Sequence, residues 1–166
     1  GTPSKSLVLV EDRKSGFQFF ERVCGNDRCI SAGGNSKIAA CIESIDKDRP
    51  TVVIADGAAF GAYIANAIAA SREKDNIQLY FPESFEWLIL KSRLIHSGEV
   101  TRILKHPSDY IESKDYFSWE QFFTALLTKE TKETYLAYNK RKLNPVYLQS
   151  NEREAILAVM PLQLGK

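Results

Sequence analysis

"TVVIADGAAFGAYIA", residues 51–65, runs from a β-branched apolar burst into a single acid, then a glycine, then small residues. Thr51, Val52, Val53, Ile54 and Ala55, bracketed by Pro50 and Gly57, read as a short continuous apolar strand, the pattern of a parallel strand covered on both faces. Asp56 then stands at the carboxyl end of that strand, the edge of an open α/β sheet where ligands bind. An Asp in this place also has a purely local use, accepting backbone N–H groups at the start of the following helix.

The same grammar repeats on either side. "SLVLVED", residues 6–12, is a second apolar strand ending on acids, Glu11 and Asp12, followed at helical spacing by Phe17, Phe20 and Val23. "RCISAGG" leads into "NSKIAACIESI", where Ile38, Ile42 and Ile45 share a helix face and Asn35 or Ser36 is the expected N-cap. A helix carrying Phe60, Ile64 and Ile68 at steps of four comes next, and then the strand "NIQLYF". Strands over 6–11, 28–32, 51–55 and 76–81, alternating with helices, predict a three-layer α/β sandwich. Its four-stranded, mainly parallel, Rossmann-like sheet carries helices on both faces.

Beyond Pro82 the pattern turns helical. In "SWEQFFTALL", Ser118 and Gln121 fit a capping box, and Trp119, Phe122, Phe123, Leu126 and Leu127 form one apolar stripe, read as core. Pro145 separates two last helical pieces, the second being "NEREAILAV". The expected division is an α/β core over 5–90 and an α-helical extension over 91–166 packed on the same domain.

The chain has 166 residues, 44% of them hydrophobic, enough for one well-buried core. No apolar run approaches the roughly 20 residues needed to cross a bilayer, and no signal-peptide pattern opens the sequence. A cytoplasmic protein with no membrane partner is expected. Cys24, Cys29 and Cys41 form no C-x-x-C pair, and His96 and His106 are the only histidines, which argues against a structural zinc site. No serine or cysteine nucleophile pattern accompanies them, so a catalytic triad has no support. A net charge of +1 gives no global field that selects nucleic acid.

Glu11 and Asp56 end two strands whose carboxyl ends share one edge if the sheet is parallel, so the two carboxylates can meet there. Clustered carboxylates repel in a low-dielectric cleft, and Mg²⁺ relieves that repulsion while keeping waters and phosphate oxygens in its shell. Glu11 and Asp56 are therefore the catalytic and metal-ligating candidates.

The order of these motifs resembles the Toprim domain, the α/β module of topoisomerases, primases and nucleases of the OLD (overcoming lysogenization defect) type, over residues 5 to about 90. "LVLVED" matches a first strand ending in Glu, at Glu11. "SAGGNSKI" matches the turn after the second strand, at Gly33, Gly34 and Lys37. "PESFEWLIL" is similar to the segment after the fourth strand through Ser84, Phe85 and Glu86. The resemblance implies Mg²⁺-dependent phosphoryl transfer or nuclease-type activity. Its third strand ends in Asp-x-Asp, whereas "ADGAAFG" supplies Asp56 and puts Ala58 where the second acid belongs. A methyl group binds no cation, so the site lacks one ligand and two-metal cleavage is put in doubt, with Glu83 and Glu86, just beyond the fourth strand, as the candidate substitutes. The bland alternative for both is acidic charge favoured near a helix N-terminus. A noncatalytic binding or regulatory module of the same fold is the other outcome.

The chain also resembles a two-component receiver domain, through Glu11 and Asp12, a phosphoacceptor at Asp56 and Ser84 near the fourth strand. The expected Lys-Pro pair is interrupted by His106 in "RILKHPSDY". "GGNSK" offers Gly33 and Gly34 amides and the Lys37 charge to a phosphorylated ligand, or else only makes a tight strand-to-helix turn. "KETKETYLAYNKRKLN" interleaves Lys129, Lys132, Lys140, Arg141 and Lys142 with Tyr135 and Tyr138, a candidate nucleic-acid face against a reading as solvated helix charge. Oligomeric state is not legible in the sequence.

Overall fold

The structure, a computed structural model, describes residues 6–57, 62–105, 119–161 and 164. The four apolar runs form β1 (Leu7–Val10), β2 (Cys29–Ser31), β3 (Thr51–Ile54) and β4 (Ile77–Tyr80). All neighbouring pairs are parallel, in the order β2-β1-β3-β4. β1 and β3 are thus the central strands, aligned with Val8 opposite Val52 and Val10 opposite Ile54.

Strand alternation sends side chains to two cores. Leu9, Val53 and Ala55 meet Ile38, Ile42 and Ala67 from α2 (Ile38–Ser44) and α3 (Ala62–Ser71). Val8, Val10, Val52 and Ile54 face the other way, toward α1 (Ser15–Cys24), α4 (Phe85–Lys91) and α5 (Gly98–Lys105). The same core takes Phe123, Leu126 and Leu127 of α6 (Trp119–Thr131) and Ile156 of α7 (Ser150–Val159). The molecule is a three-layer α/β sandwich about an all-parallel sheet, with the helices of the second half on the α1 side. Each fully buried Val, Leu or Ile side chain contributes about 1.5–3 kcal/mol relative to exposure, so these two faces hold the sheet edge in place.

Several local expectations are corrected. Residues 35–37 form a 3₁₀ turn, and α2 starts at Ile38 with no side-chain cap from Asn35 or Ser36. Its other end is held instead by Lys74, whose Nζ donates to the carbonyls of Ile42, Glu43 and Ile45 at 2.7, 2.8 and 2.6 Å. In α3 the inward face is Tyr63, Ala67 and Ala70, whereas Ile68 is exposed. Phe60, His106 and Ser118 lie outside the described residues, as does the side chain of Trp119. Pro145 opens a 3₁₀ turn, Pro145–Leu148, capped by the Asn144 side chain.

Candidate functional site

Because β1 and β3 are adjacent, parallel and in register, their carboxyl ends open side by side. Glu11 follows β1 and Asp56 lies two residues beyond β3, and the Asp56 N–H donates to Glu11 Oε2 at 3.0 Å. The segment beyond Asp56 is pinned as well. The Gly57 N–H donates to the Pro82 carbonyl at 2.6 Å, and a Cβ on Gly57 would lie 2.5 Å from the Phe81 oxygen. Glycine is therefore required for the loop after β3 to reach the chain after β4. The Tyr63 hydroxyl donates to the Asp56 carbonyl, tying the same point to α3.

Glu11, Asp12, Asp56 and Glu86 line one cleft with Lys14, Ser15, Tyr138 and Lys140, above the apolar floor of Val10, Ile54 and Phe20. The structure thus brings together three of the four acids proposed for metal binding, Glu11, Asp56 and Glu86. Glu83, half-buried in the loop before α4, does not line the cleft.

Glu86 has a different environment from Glu11 and Asp56. It sits in the first turn of α4, which Ser84 caps by accepting the Trp87 N–H at 3.0 Å, and it is 2% exposed. Its Oε1 accepts hydrogen bonds from Thr124 Oγ1 at 3.0 Å, from the Tyr138 hydroxyl at 3.1 Å and from Lys140 Nζ at 3.0 Å. Three donors, one of them cationic, satisfy a carboxylate that burial alone would disfavour. Burial and the adjacent Glu86 push the Tyr138 phenol far above its ordinary 10.0, so it remains a neutral donor. Glu86 is accordingly the anchor of α6 and of the loop after it against α4. Among the described residues, no group of three or more His, Cys, Asp or Glu side chains is placed to hold a metal ion.

The glycine turn after β2 packs against the same edge. Gly33 and Gly34 have φ of 86° and 130°, values that L side chains rarely adopt. The Gly33 N–H donates to Ser31 Oγ at 3.1 Å and the Gly34 N–H to the Glu11 carbonyl at 2.7 Å. Both amides are thus used inside the protein, and the second holds the backbone of Glu11 itself. Lys37 is exposed, with its side chain running past Gly33.

The stretch from Lys129 to Lys142 does not form one helix face. α6 ends at Thr131; Tyr138 and Lys140 then turn into the cleft, Tyr135 remains 65% exposed, and Lys129 pairs loosely with Glu99 at 3.7 Å. Sequence reasoning placed Lys140 and Tyr138 on a surface. Their partner Glu86 lies more than fifty residues earlier, and no periodicity connects them.

The chain matches no protein-family model, no curated protein and no solved structure. No described helix is long and apolar enough to cross a membrane.

Proposed function

We propose that this chain is a Toprim-like protein that uses Glu11 and Asp56 to bind Mg²⁺ for phosphoryl transfer of the nuclease type on nucleic acid, through a site weakened at Ala58. The observation that carries this reading is the juxtaposition of the two acids at the ends of the central parallel strands, joined by the Asp56 N–H to Glu11 Oε2 bond within one cleft. The donor chemistry fits one ion. Mg²⁺ is commonly held by one or two carboxylates, with waters or phosphate oxygens completing its shell. Bound there, the ion would supply Lewis-acid polarisation of a phosphoryl oxygen. The chain's own part is to hold the Asp56 backbone beside the Glu11 carboxylate through the strand register and the Gly57 and Tyr63 bonds, with Lys140 at the same cleft on its Glu86 partner.

A noncatalytic module of the same fold is the second reading, and the engagement of Glu86 favours it. The acid best placed to replace the residue missing at position 58 spends its Oε1 on Thr124, Tyr138 and Lys140. Position 58 itself lies outside the described residues. Cleavage of labelled single- and double-stranded DNA and RNA with Mg²⁺ or Mn²⁺ separates the readings when wild type, Ala58→Asp and Glu11→Gln are compared. Weak wild-type cleavage that rises in Ala58→Asp and vanishes in Glu11→Gln supports the enzyme. No cleavage by either of the first two proteins removes it.

A further inference from the structure

The start of α1 and the loop 139–143, far apart in the chain, are clasped beside the cleft. The Ser15 N–H donates to the Lys140 carbonyl at 2.8 Å, and Ser15 Oγ donates to the Asn139 carbonyl at 2.5 Å. Gln18 completes the clasp. Its Nε2 donates to the carbonyls of Arg13 at 3.3 Å and Arg141 at 2.8 Å, while its Oε1 accepts the Leu143 N–H at 2.9 Å. The bonds from Ser15 Oγ and Gln18 to residues 139–143 join positions 123 to 125 residues apart without using any charged side chain.

The consequence is a concentration of charge. Arg13 and Lys14 lie beside Lys140, Arg141 and Lys142, and all except half-buried Lys140 are exposed. Apart from Glu11 in the cleft, the acid in these two segments is Asp12, whose Oδ1 accepts the Lys14 N–H at 2.9 Å. Lys140 pairs with Glu86 at 3.0 Å, which leaves Arg13, Lys14, Arg141 and Lys142 as four exposed cations beside a cleft whose other acids are Glu11, Asp12 and Asp56. Lys14 and Lys140 also line the cleft that holds Glu11 and Asp56. The cleft encloses only about 40 Å³, so it cannot engulf a nucleotide, for which pockets of about 300 Å³ or more are usual. A ligand of nucleotide size or larger would lie across its mouth, beside these exposed cations.

We propose that the clasped rim of Arg13, Lys14, Arg141 and Lys142 is the landing surface for a nucleic-acid backbone, holding successive phosphates so that one phosphodiester faces Glu11 and Asp56. This rests on the reading of the cleft as a nucleic-acid site, and it can be tested apart from it. Fluorescence anisotropy of labelled single-stranded and duplex DNA and RNA, titrated in EDTA over a range of salt, reads backbone binding without metal or cleavage. Arg13→Glu with Arg141→Glu should weaken binding at least about tenfold. The slope of log affinity against log salt should flatten by about 1.4 for a single strand, roughly 0.7 for each phosphate that is no longer neutralised. Lys47→Glu with Arg72→Glu makes the same charge change on exposed residues at the opposite, amino edge of the sheet and should leave binding unchanged. Arg13→Gln with Arg141→Gln, milder and still outside the clasp, should fall between wild type and the reversal.

Equal losses in the two reversed pairs, unchanged affinity in Arg13→Glu with Arg141→Glu, or no wild-type binding to any oligonucleotide would overturn the proposal. Rim-dependent binding without cleavage leaves the landing surface standing and the catalytic reading failed. Cleavage that is indifferent to the rim gives the reverse.

Discussion

Glu86 shows how one side chain acquires a role that its sequence position does not announce. As a first-turn acid of α4 it satisfies the helix-dipole preference, yet its burial and three donors make it a structural anchor. Removing it in Glu86→Ala leaves Lys140 and Tyr138 without their acceptor in a largely buried site, a loss of about 3 kcal/mol. Glu86→Gln, which still accepts from Thr124 and Tyr138, should cost clearly less; urea unfolding of the two variants measures the difference. Tyr138 adds a pH signature. Its phenol is raised in the fold above the unfolded value of 10.0, so its contribution is complete below pH 10 and declines as pH rises beyond that. Buried Cys29, pushed from 9.0 to about 12 chiefly by desolvation, acts in the same direction from pH 9 upward. Stability of the wild type should therefore fall on alkaline titration, and in Tyr138→Phe the fall above pH 10 should be shallower.

At the level of elements, the strands were the most legible part, because β1 and β3 are buried on both faces and so carry unbroken apolar runs. The helices were legible in kind but not in facing. Steps of four in α3 point to Ile64 and Ile68, yet the face against the sheet is Tyr63, Ala67 and Ala70: the two alanines allow α3 to pack closely there, and Tyr63 reaches the Asp56 carbonyl with its hydroxyl. The cap of α2 was hidden because its satisfier, Lys74, comes from another part of the chain. In the sequence Gly57 only marks the end of β3, and the structure supplies the stronger reason for a glycine there. In Gly57→Ala the new methyl would sit 2.5 Å from a backbone oxygen that cannot rotate away. The loop must shift, with an expected loss of about 1–3 kcal/mol. Displacement of Asp56 should appear as changed amide shifts of Asp56 and Glu11 in NMR spectra.

Across the whole molecule, the second half is built into the first. Phe123, Leu127, Tyr147 and Ile156 share a core with Val8, Val52 and Phe20, while Ser15 and Gln18 grip the loop 139–143. A fragment ending at residue 91 exposes the apolar faces of α1 and α4, and its circular dichroism melt should lack the cooperative transition of the full chain. The meeting of Glu11 with Asp56 could be anticipated, because a parallel sheet carries all strand ends to one edge. The arrival of Lys140 and the clasp could not, because they depend on how the loop after α6 folds back over α1, and that is fixed by long-range hydrogen bonds with no repeat in the sequence.

If Glu11 and Asp56 together form a site for one divalent cation, calorimetric titration of Mg²⁺ reveals it. Wild type should give a saturable heat with one ion per chain, and Glu11→Gln and Asp56→Ala should each abolish it while urea unfolding shows both variants folded. Heats in Asp56→Ala and Glu11→Gln equal to those of wild type, or no heat in wild type, would exclude such a site.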